Sequence, residues 1–466
     1  MSPIDTQNSA AITVDLLRKY DRPGPRYTSY PTAPVWSDQV NNEHYHRALE
    51  EASKQTDEPL ALYCHIPFCQ SRCLYCGCNT YITNRMSRAD DYVAIMLGEV
   101  RAVASRMGKR RRVNQLHFGG GTPSFVGVEK LKEVLNALRN QFDFAHGCEI
   151  SIEVDPRAIS GEQVEQLIND GFNRVSVGVQ DLDPKVQQAV GRSQPIERVQ
   201  AVLDRCRTFG LSGINFDLIY GLPCQTALSF ASTLDKVISM RPDRLAIYSF
   251  AYLPDRLAHQ RKIDVDLLPS TEEKYRMLAL TIEHLGAAGY VQIGMDHFAL
   301  PEDELVIAQS TGNLHRNFMG YTVRTAPDMI GFGMSSIGYV NKSFFQNQSK
   351  LDAYSCAIDD HDFAVYRGMI LSDDDLVRQD VIKSLMCNFA IDTDRINRRF
   401  GIDYYTYFAD EHDRLNEFVD DRLIVQSRKG LTVTEFGRTF VRNIAMVFDS
   451  YLNGKQASNA TFSRTI

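Results

Sequence analysis

Between residues 60 and 298 the chain alternates short apolar runs with longer stretches of helical spacing, and nothing else in it constrains the fold as strongly. The runs fall at 60–66, 115–118, 149–154, 174–179, 213–220, 244–250 and 290–295. The helical stretches include 129–142, 161–170, 196–209, 227–238 and 272–288. Several runs are almost continuously apolar, as strands covered on both faces must be. Strand–helix units in series lead to a parallel sheet with right-handed crossovers. This many of them favour a partial or closed parallel α/β barrel over an open sheet. In either architecture ligands sit at the carboxyl ends of the strands.

The residues that follow each run fit that rule. A cysteine cluster follows the first, and Gly119-Gly120-Gly121-Thr122 follows the second. The third ends in Glu153-Val-Asp155-Pro, the fourth in Gly178-Val-Gln180-Asp. The fifth carries Asp217, and the sixth leads into Ala251 and Tyr252. Three glycines in a row let backbone N–H groups approach a ligand closely, though a glycine run alone is also an ordinary tight turn. Glu153 reads as a partner for amine or ribose hydroxyl groups, or as a solvated carboxylate. Asp217 lies inside the apolar run Ile214-Asn-Phe-Asp-Leu-Ile219, where a carboxylate is expensive unless partnered, and this marks it as functional. Arg192 reads equally as a surface ion pair.

Two flanks differ from this body. Residues 1–55 hold a short helical pattern and the Pro/Tyr-rich stretch 22–31, whose prolines forbid a long helix and favour an extended path over another part of the molecule. Residues 351–466 read as a smaller, mostly helical domain: an amphipathic helix at 374–389 with Val377, Val381, Leu385 and Phe389 on one stripe, helices at 392–400 and 405–419, a hairpin across Lys429-Gly430, and a last helix at 435–452. Helices followed by a hairpin suggest a winged-helix-like module. The body is then 56–350, and 1–55 is a segment placed to act as a lid.

The chemistry is announced by Cys69-Gln-Ser-Arg-Cys73-Leu-Tyr-Cys76-Gly-Cys78. No stretch is apolar for long enough to cross a bilayer, and the polar start to Leu17 has no leader pattern, so a cytoplasmic chain with reduced thiols is expected. Five of the ten cysteines gather around this motif; Cys148, Cys206, Cys224, Cys356 and Cys387 are scattered and read as small buried hydrophobes. Three thiolates spaced by three and then two residues suit three corners of a cubane iron–sulfur cluster, with one iron left open. A zinc knuckle with Cys78 as fourth ligand is the competing reading. Tyr63 and Tyr75 flank the motif; without it they would be core packing. Net charge is −7, against an electrostatic hold on nucleic acid.

Tyr63-Cys64-His65-Ile66-Pro67-Phe68 followed by the three cysteines resembles the core of radical S-adenosylmethionine enzymes. Gly77-Cys78-Asn79, Arg26-Tyr-Thr-Ser-Tyr-Pro31, Met295-Asp-His-Phe298, His315-Arg-Asn-Phe318 and the tail from Asn443 to Leu452 are similar, within that superfamily, to the oxygen-independent coproporphyrinogen III oxidases (dehydrogenases). The likeness runs through essentially the whole chain. It implies a radical S-adenosylmethionine barrel with one [4Fe–4S] cluster on Cys69, Cys73 and Cys76, Cys78 not being a ligand. It further implies two S-adenosylmethionine molecules: one against Tyr63, Gly120, Glu153 and Ile337, and a second against Tyr75, Gly121, Thr122, Gln180, Arg192, Asp217 and Ala251. Met319 departs from the pattern, where Gln is expected.

By the same resemblance the cluster reduces a sulfonium, and the resulting 5′-deoxyadenosyl radical takes hydrogen from the β-carbon of a propionate. Loss of a second electron and of CO2 leaves a vinyl group. Two such rounds convert coproporphyrinogen III to protoporphyrinogen IX in haem biosynthesis. The implied partners are that substrate, a flavodoxin- or ferredoxin-like electron donor and an electron acceptor, with no nucleic acid and no membrane, on a monomer. No catalytic side chain is assigned beyond those holding cluster and cofactor. Four carboxylates on the substrate call for cations at the barrel mouth, and Arg22 and Arg26 on the lid segment are the expected ones. A haem-binding chaperone relative is the alternative; an aromatic residue is expected there in place of Cys78, and the 26–31 stretch is expected to be missing. A nucleic-acid-binding regulator using Arg395, Arg398 and Arg399 is a second, and the net charge opposes it.

Overall fold

The computed structural model describes residues 13–453 and 462–465. Its frame is a twelve-stranded sheet. The strands are β1 (Leu60–Ile66), β2 (Arg112–Gly120), β3 (Asp143–Val154), β4 (Arg174–Gln180), β5 (Ile214–Tyr220), β6 (Arg244–Ser249), β7 (Val291–Ile293), β8 (His297–Ala299), β9 (Asp328–Phe332), β10 (Ile337–Val340), β11 (Ser343–Asn347) and β12 (Val365–Ile370). Their spatial order is β12-β11-β10-β9-β1-β2-β3-β4-β5-β6-β8-β7. Neighbours from β9 through β6 are parallel, and both flanks are antiparallel. β7 and β12 are its edges, so the barrel is a partial one.

The run at 290–295 does not extend the parallel array. It is β7, an edge strand of three residues reached through β8, because a tight turn after it leaves no length for a crossover.

The parallel strands show why the site lies where it does. β1 is buried along nearly its whole length. β4 and β5 instead alternate: Val175, Val177 and Val179, like Ile214, Phe216 and Leu218, are buried, while Ser176, Gly178, Gln180, Asn215 and Asp217 are half-buried. With a period of two, the apolar set packs under the helices and the polar set lines the concave side. The outer helices follow the expected stretches: Val128–Gln141, Gly161–Asp170, Ile196–Thr208, Ala227–Met240 and Thr271–Ala287. Ser160 with Gln163 and Thr226 with Ser229 close capping boxes at two of their starts. No helix among the described residues is long and apolar enough to cross a membrane.

A second core begins beyond the sheet. Helix Asp373–Asn388 buries the stripe Val377, Val381 and Leu385, with Phe389 at its end, against helix Ala409–Asp420 and a three-stranded sheet of Ala390–Asp392, Ile424–Ser427 and Gly430–Val433. The stretch read as one helix at 435–452 is broken into Phe436–Phe440, Val441–Met446 and Ser450–Asn453. It bends around the N-terminal segment, to which Arg442 and Asn443 give their donors. That segment belongs to this core: Leu17, Tyr20, Tyr27 and Tyr30 are buried in it. Residues 1–12 lie outside the described residues. Residue 350 falls between β11 and β12, so the sheet continues past it to Ile370.

Candidate active site

At the carboxyl ends of β1 to β6 lies a cavity of about 730 Å³. Cys69, Cys73 and Cys76 line it, in the loop that leaves β1. This loop is stitched to the glycine turn after β2: Gly121 N–H donates to Ile66 O (2.8 Å), and Thr122 N–H donates to Phe68 O (2.8 Å). The packing demands glycine at 121, where a Cβ would stand 2.7 Å from Pro67 and Phe68 backbone atoms. A Cβ at 120 would meet the His65 ring at 2.7 Å, on a backbone whose φ is +118°.

Each thiol has a distinct environment. Cys69 Sγ lies 3.4 Å from Thr122 Oγ1, and burial pushes its thiol up to about 11 against that contact. Cys73 Sγ faces two guanidiniums, Arg157 Nη2 at 3.6 Å and Arg192 Nη1 at 3.7 Å. Cys76 is brought down to about 7, chiefly by the Cys78 thiol beside it, against burial. Both cations on Cys73 are held by one carboxylate: Asp155 Oδ2 takes Arg157 at 2.7 Å and Arg192 at 2.9 Å. Arg192 is buried, donates to Gly178 O (2.6 Å), and leaves its Nε unpartnered.

The carboxylates differ as well. Glu153 accepts from Gly120 N–H (3.1 Å) and shares a contact with His117 Nε2 (3.4 Å). Burial works to raise its carboxyl, but His117 and Gly120 outweigh it and hold it below the ordinary range. Asp217 is bonded by Ser176 Oγ and Asn215 Nδ2, both at 2.9 Å. Burial dominates there and lifts it to about 6.

Of the expected residues, the cavity brings together Tyr75, Gly120, Gly121, Thr122, Glu153, Gln180, Arg192, Asp217 and Ala251 with the three cysteines. Tyr63 and Ile337 stand outside its lining. Tyr63 shares a hydrogen bond with His65 Nδ1 (3.1 Å), whose Nε2 meets Asn79 O (3.1 Å), and its ring stacks on His117. Asp155, named at the end of the third run, lines the cavity too, as do Arg157, Ser176 and Tyr248, which the sequence did not single out. Asp155 was signalled: two residues after Glu153 at a strand's end, it shares that residue's face. Of the expected lid cations, Arg26 pairs with buried Asp296 and lies over the Tyr248 ring at 5.5 Å, while Arg22 is exposed. Met319 uses its backbone N–H on Asn317 Oδ1 (2.8 Å).

Among the described residues no three His, Cys, Asp or Glu side chains are gathered around one ion. A cubane offers separate iron corners to separate thiolates, so its ligands stand farther apart than those of a single ion. The donor set fits a cluster in that way. Three thiols line one cavity, two guanidiniums lie against the sulfur of one of them, and an orphaned buried Arg192 Nε stands beside them.

The comparisons agree with this geometry. The family model described as Radical SAM superfamily matches residues 63–237, and that described as HemN C-terminal domain matches 371–440. The oxygen-independent coproporphyrinogen III oxidase of Salmonella typhimurium is 44% identical over 97% of this chain and 98% of its own. That of Pseudomonas aeruginosa is also 44% identical, over 97% and 98%. The solved structure of coproporphyrinogen III oxidase (HemN) from Escherichia coli, described as a radical SAM enzyme, superposes with a TM-score of 0.89 at 43% identity, covering 92% of this chain and 98% of that one. A partial barrel with this cysteine loop at the strand ends places the chain among radical S-adenosylmethionine enzymes. Within them it belongs to the oxygen-independent coproporphyrinogen III oxidase family.

Proposed function

We propose that this chain converts coproporphyrinogen III to protoporphyrinogen IX without oxygen, by oxidative decarboxylation of two propionates to vinyl groups. One observation carries the reading. Cys69, Cys73 and Cys76 meet the glycine turn, Glu153, Arg192 and Asp217 in a single cavity, in a chain that matches enzymes named for this substrate over 97% of its length. When bound, a [4Fe–4S] cluster on the three thiols together with S-adenosylmethionine supplies one-electron cleavage of a sulfonium.

The remaining work falls to the chain. Glu153 is held ionised by His117 and Gly120, which suits it to a cationic amine. Gly120, Gly121 and Thr122 bring backbone within reach of a ligand. Arg192, anchored on Asp155 and Gly178 O, is fixed in place and still has Nε to offer. Asp217, with Ser176 and Asn215, fits ribose hydroxyls. These two groups of residues support two S-adenosylmethionine molecules side by side, the first at Tyr63, Gly120, Glu153 and Ile337, the second at Tyr75, Gly121, Thr122, Gln180, Arg192, Asp217 and Ala251. A flavodoxin- or ferredoxin-like donor and a separate electron acceptor complete the reaction, on a monomer.

The test is anoxic incubation of the reduced, iron-loaded chain with coproporphyrinogen III and S-adenosylmethionine. Release of CO2 with formation of protoporphyrinogen IX is expected, and Glu153→Ala should abolish both with the iron content unchanged. An iron-loaded chain that binds S-adenosylmethionine yet releases no CO2 overturns the reading.

A further inference from the structure

A second cavity of about 1380 Å³ shares no lining residue with the first. It opens between the β9–β11 end of the sheet, at Met329, Tyr339 and Phe344, and helix Asp373–Asn388. A polar layer of the barrel interior adjoins it, in which Gln115 Nε2 donates to Glu149 and to Thr322, and Asn317 donates to Gln115. Its volume exceeds the roughly 300–1,000 Å³ usual for a small-ligand site.

Its charge is the unexpected feature in a chain of net −7. Arg316, Arg324, Lys342, Lys383, Arg395 and Arg399 line it. Arg395 and Arg399 share one carboxylate, Asp380, at 2.6 and 2.5 Å. Of the other acids there, Asp328 is taken by buried Arg110, and Asp392 accepts from a helix N–H. Glu58 and Asp373 are exposed. Lys383 makes no ion pair among the described residues; its Nζ sits 5.6 Å from the centre of the Tyr339 ring. Arg316 Nε and Arg324 Nε are buried without partners. The crowding is felt. Loss of water holds the Lys383 ammonium below the lysine range, with Cys387 and Asp380 opposing and Arg399 adding least, and loss of water, Lys383, Arg395 and Arg399 hold His315 down. Six cations face five carboxylates here, three of the cations (Lys342, Lys383 and Arg399) being exposed; Lys383, with no ion pair and held down by loss of water at its ammonium, is the one whose charge is costly until an anion joins it. The wall beside them is aromatic: buried Phe344, stacked from behind on Trp36 (5.1 Å), meets Phe318 edge-on and Tyr339 at a tilt, and Phe318 and Tyr339 are half-buried.

We propose that this second cavity is a holding site for a carboxylate-bearing tetrapyrrole, its propionates on Lys383, Arg395 and Arg399 and its macrocycle against Tyr339 and Phe318. The site rests on the functional reading above, in that the same class of molecule is substrate and product. It lies apart from the cysteine cavity, so a molecule held here waits outside the reaction.

The test is a fluorescence titration of the full iron-loaded chain with coproporphyrin III, the unreactive oxidised macrocycle, with and without S-adenosylmethionine. Saturable binding is expected that S-adenosylmethionine does not displace, that weakens with added salt, and that falls at least tenfold in Lys383→Glu and in Arg395→Glu. A parallel titration with a two-propionate porphyrin separates the sources: tighter binding of the tetracarboxylate assigns the site to substrate, equal or tighter binding of the dicarboxylate assigns it to product, and either supports it. Affinity unchanged within twofold in both variants, or displacement by S-adenosylmethionine, overturns the proposal. Anoxic turnover of the parent chain is read separately, so that failure of the enzyme reading and failure of this site are distinguishable.

Discussion

Individual ionisable groups give the sharpest expectations. Glu99, in the core, accepts from Gly333 N–H (2.8 Å), Tyr354 OH (2.6 Å) and Asn347 Nδ2 (2.6 Å), and burial outweighs these bonds and lifts it to about 7. In the unfolded chain it titrates near ~4.3. The native state therefore binds the proton more tightly, so the contribution to stability is full below about pH 4 and is lost as pH rises through about 7. The loss is on the order of 3 kcal/mol. Denaturant titrations between pH 5 and 8 should show that slope, and Glu99→Gln should flatten it whatever its absolute stability. Asp217 makes a functional counterpart at about 6. Affinity for S-adenosylmethionine, measured by equilibrium dialysis, should fall once pH drops below that value, and Asp217→Asn should bind weakly at every pH. The sequence showed Asp217 because a carboxylate in an apolar run is conspicuous. Arg157 was not visible in the same way: it meets Cys73 directly while held by Asp155, and that convergence exists only after the loops following β1 and β3 are brought together across β2.

Elements were legible in proportion to their burial. The apolar runs gave β1 to β6 because each must bury a complete face, and the outer helices because each has an apolar stripe and several have caps. β8 to β12 left weaker marks. They are short, pair as antiparallel neighbours apart from β9 against β1, and draw on stretches such as 328–332 that contain glycine at close backbone approaches; Gly331 lies 2.7 Å, at its would-be Cβ, from Ile337 O. The break within 435–452 was equally hidden, since its cause is the N-terminal segment passing across it. The glycine turn is the element on which the site depends. Gly121→Ala should push that turn away from the cysteine loop, costing about 1–3 kcal/mol and more than half the iron, with far-ultraviolet circular dichroism unchanged. Full iron loading in that variant would show that the two loops need not touch.

At the scale of the molecule, two cores are clasped by the chain's own ends. Arg442, buried, donates to Gly24 O (2.6 Å), Pro25 O (3.1 Å), Arg464 O (3.0 Å) and Thr465 O (3.2 Å), holding both terminal stretches to one helix. The prolines of 22–31 predicted an extended path over another part of the molecule, and the structure shows that part to be the C-terminal core. Arg442→Ala strands several buried carbonyls at about 1–3 kcal/mol each, so trypsin should cleave after Arg26 many times faster than in the parent while the iron content holds. An unchanged cleavage rate would mean that the aromatic packing of Tyr20, Tyr27 and Tyr30 is sufficient by itself.

The account depends on three thiols sharing one cluster at the mouth of a partial barrel. Its most direct measurement is the iron and acid-labile sulfide content of the chain purified without oxygen, beside Cys69→Ser, Cys73→Ser and Cys76→Ser. About four of each per parent chain, with a broad visible absorption lost in every variant, is the predicted result. A colourless parent carrying zinc, or a variant that keeps its iron, would contradict it.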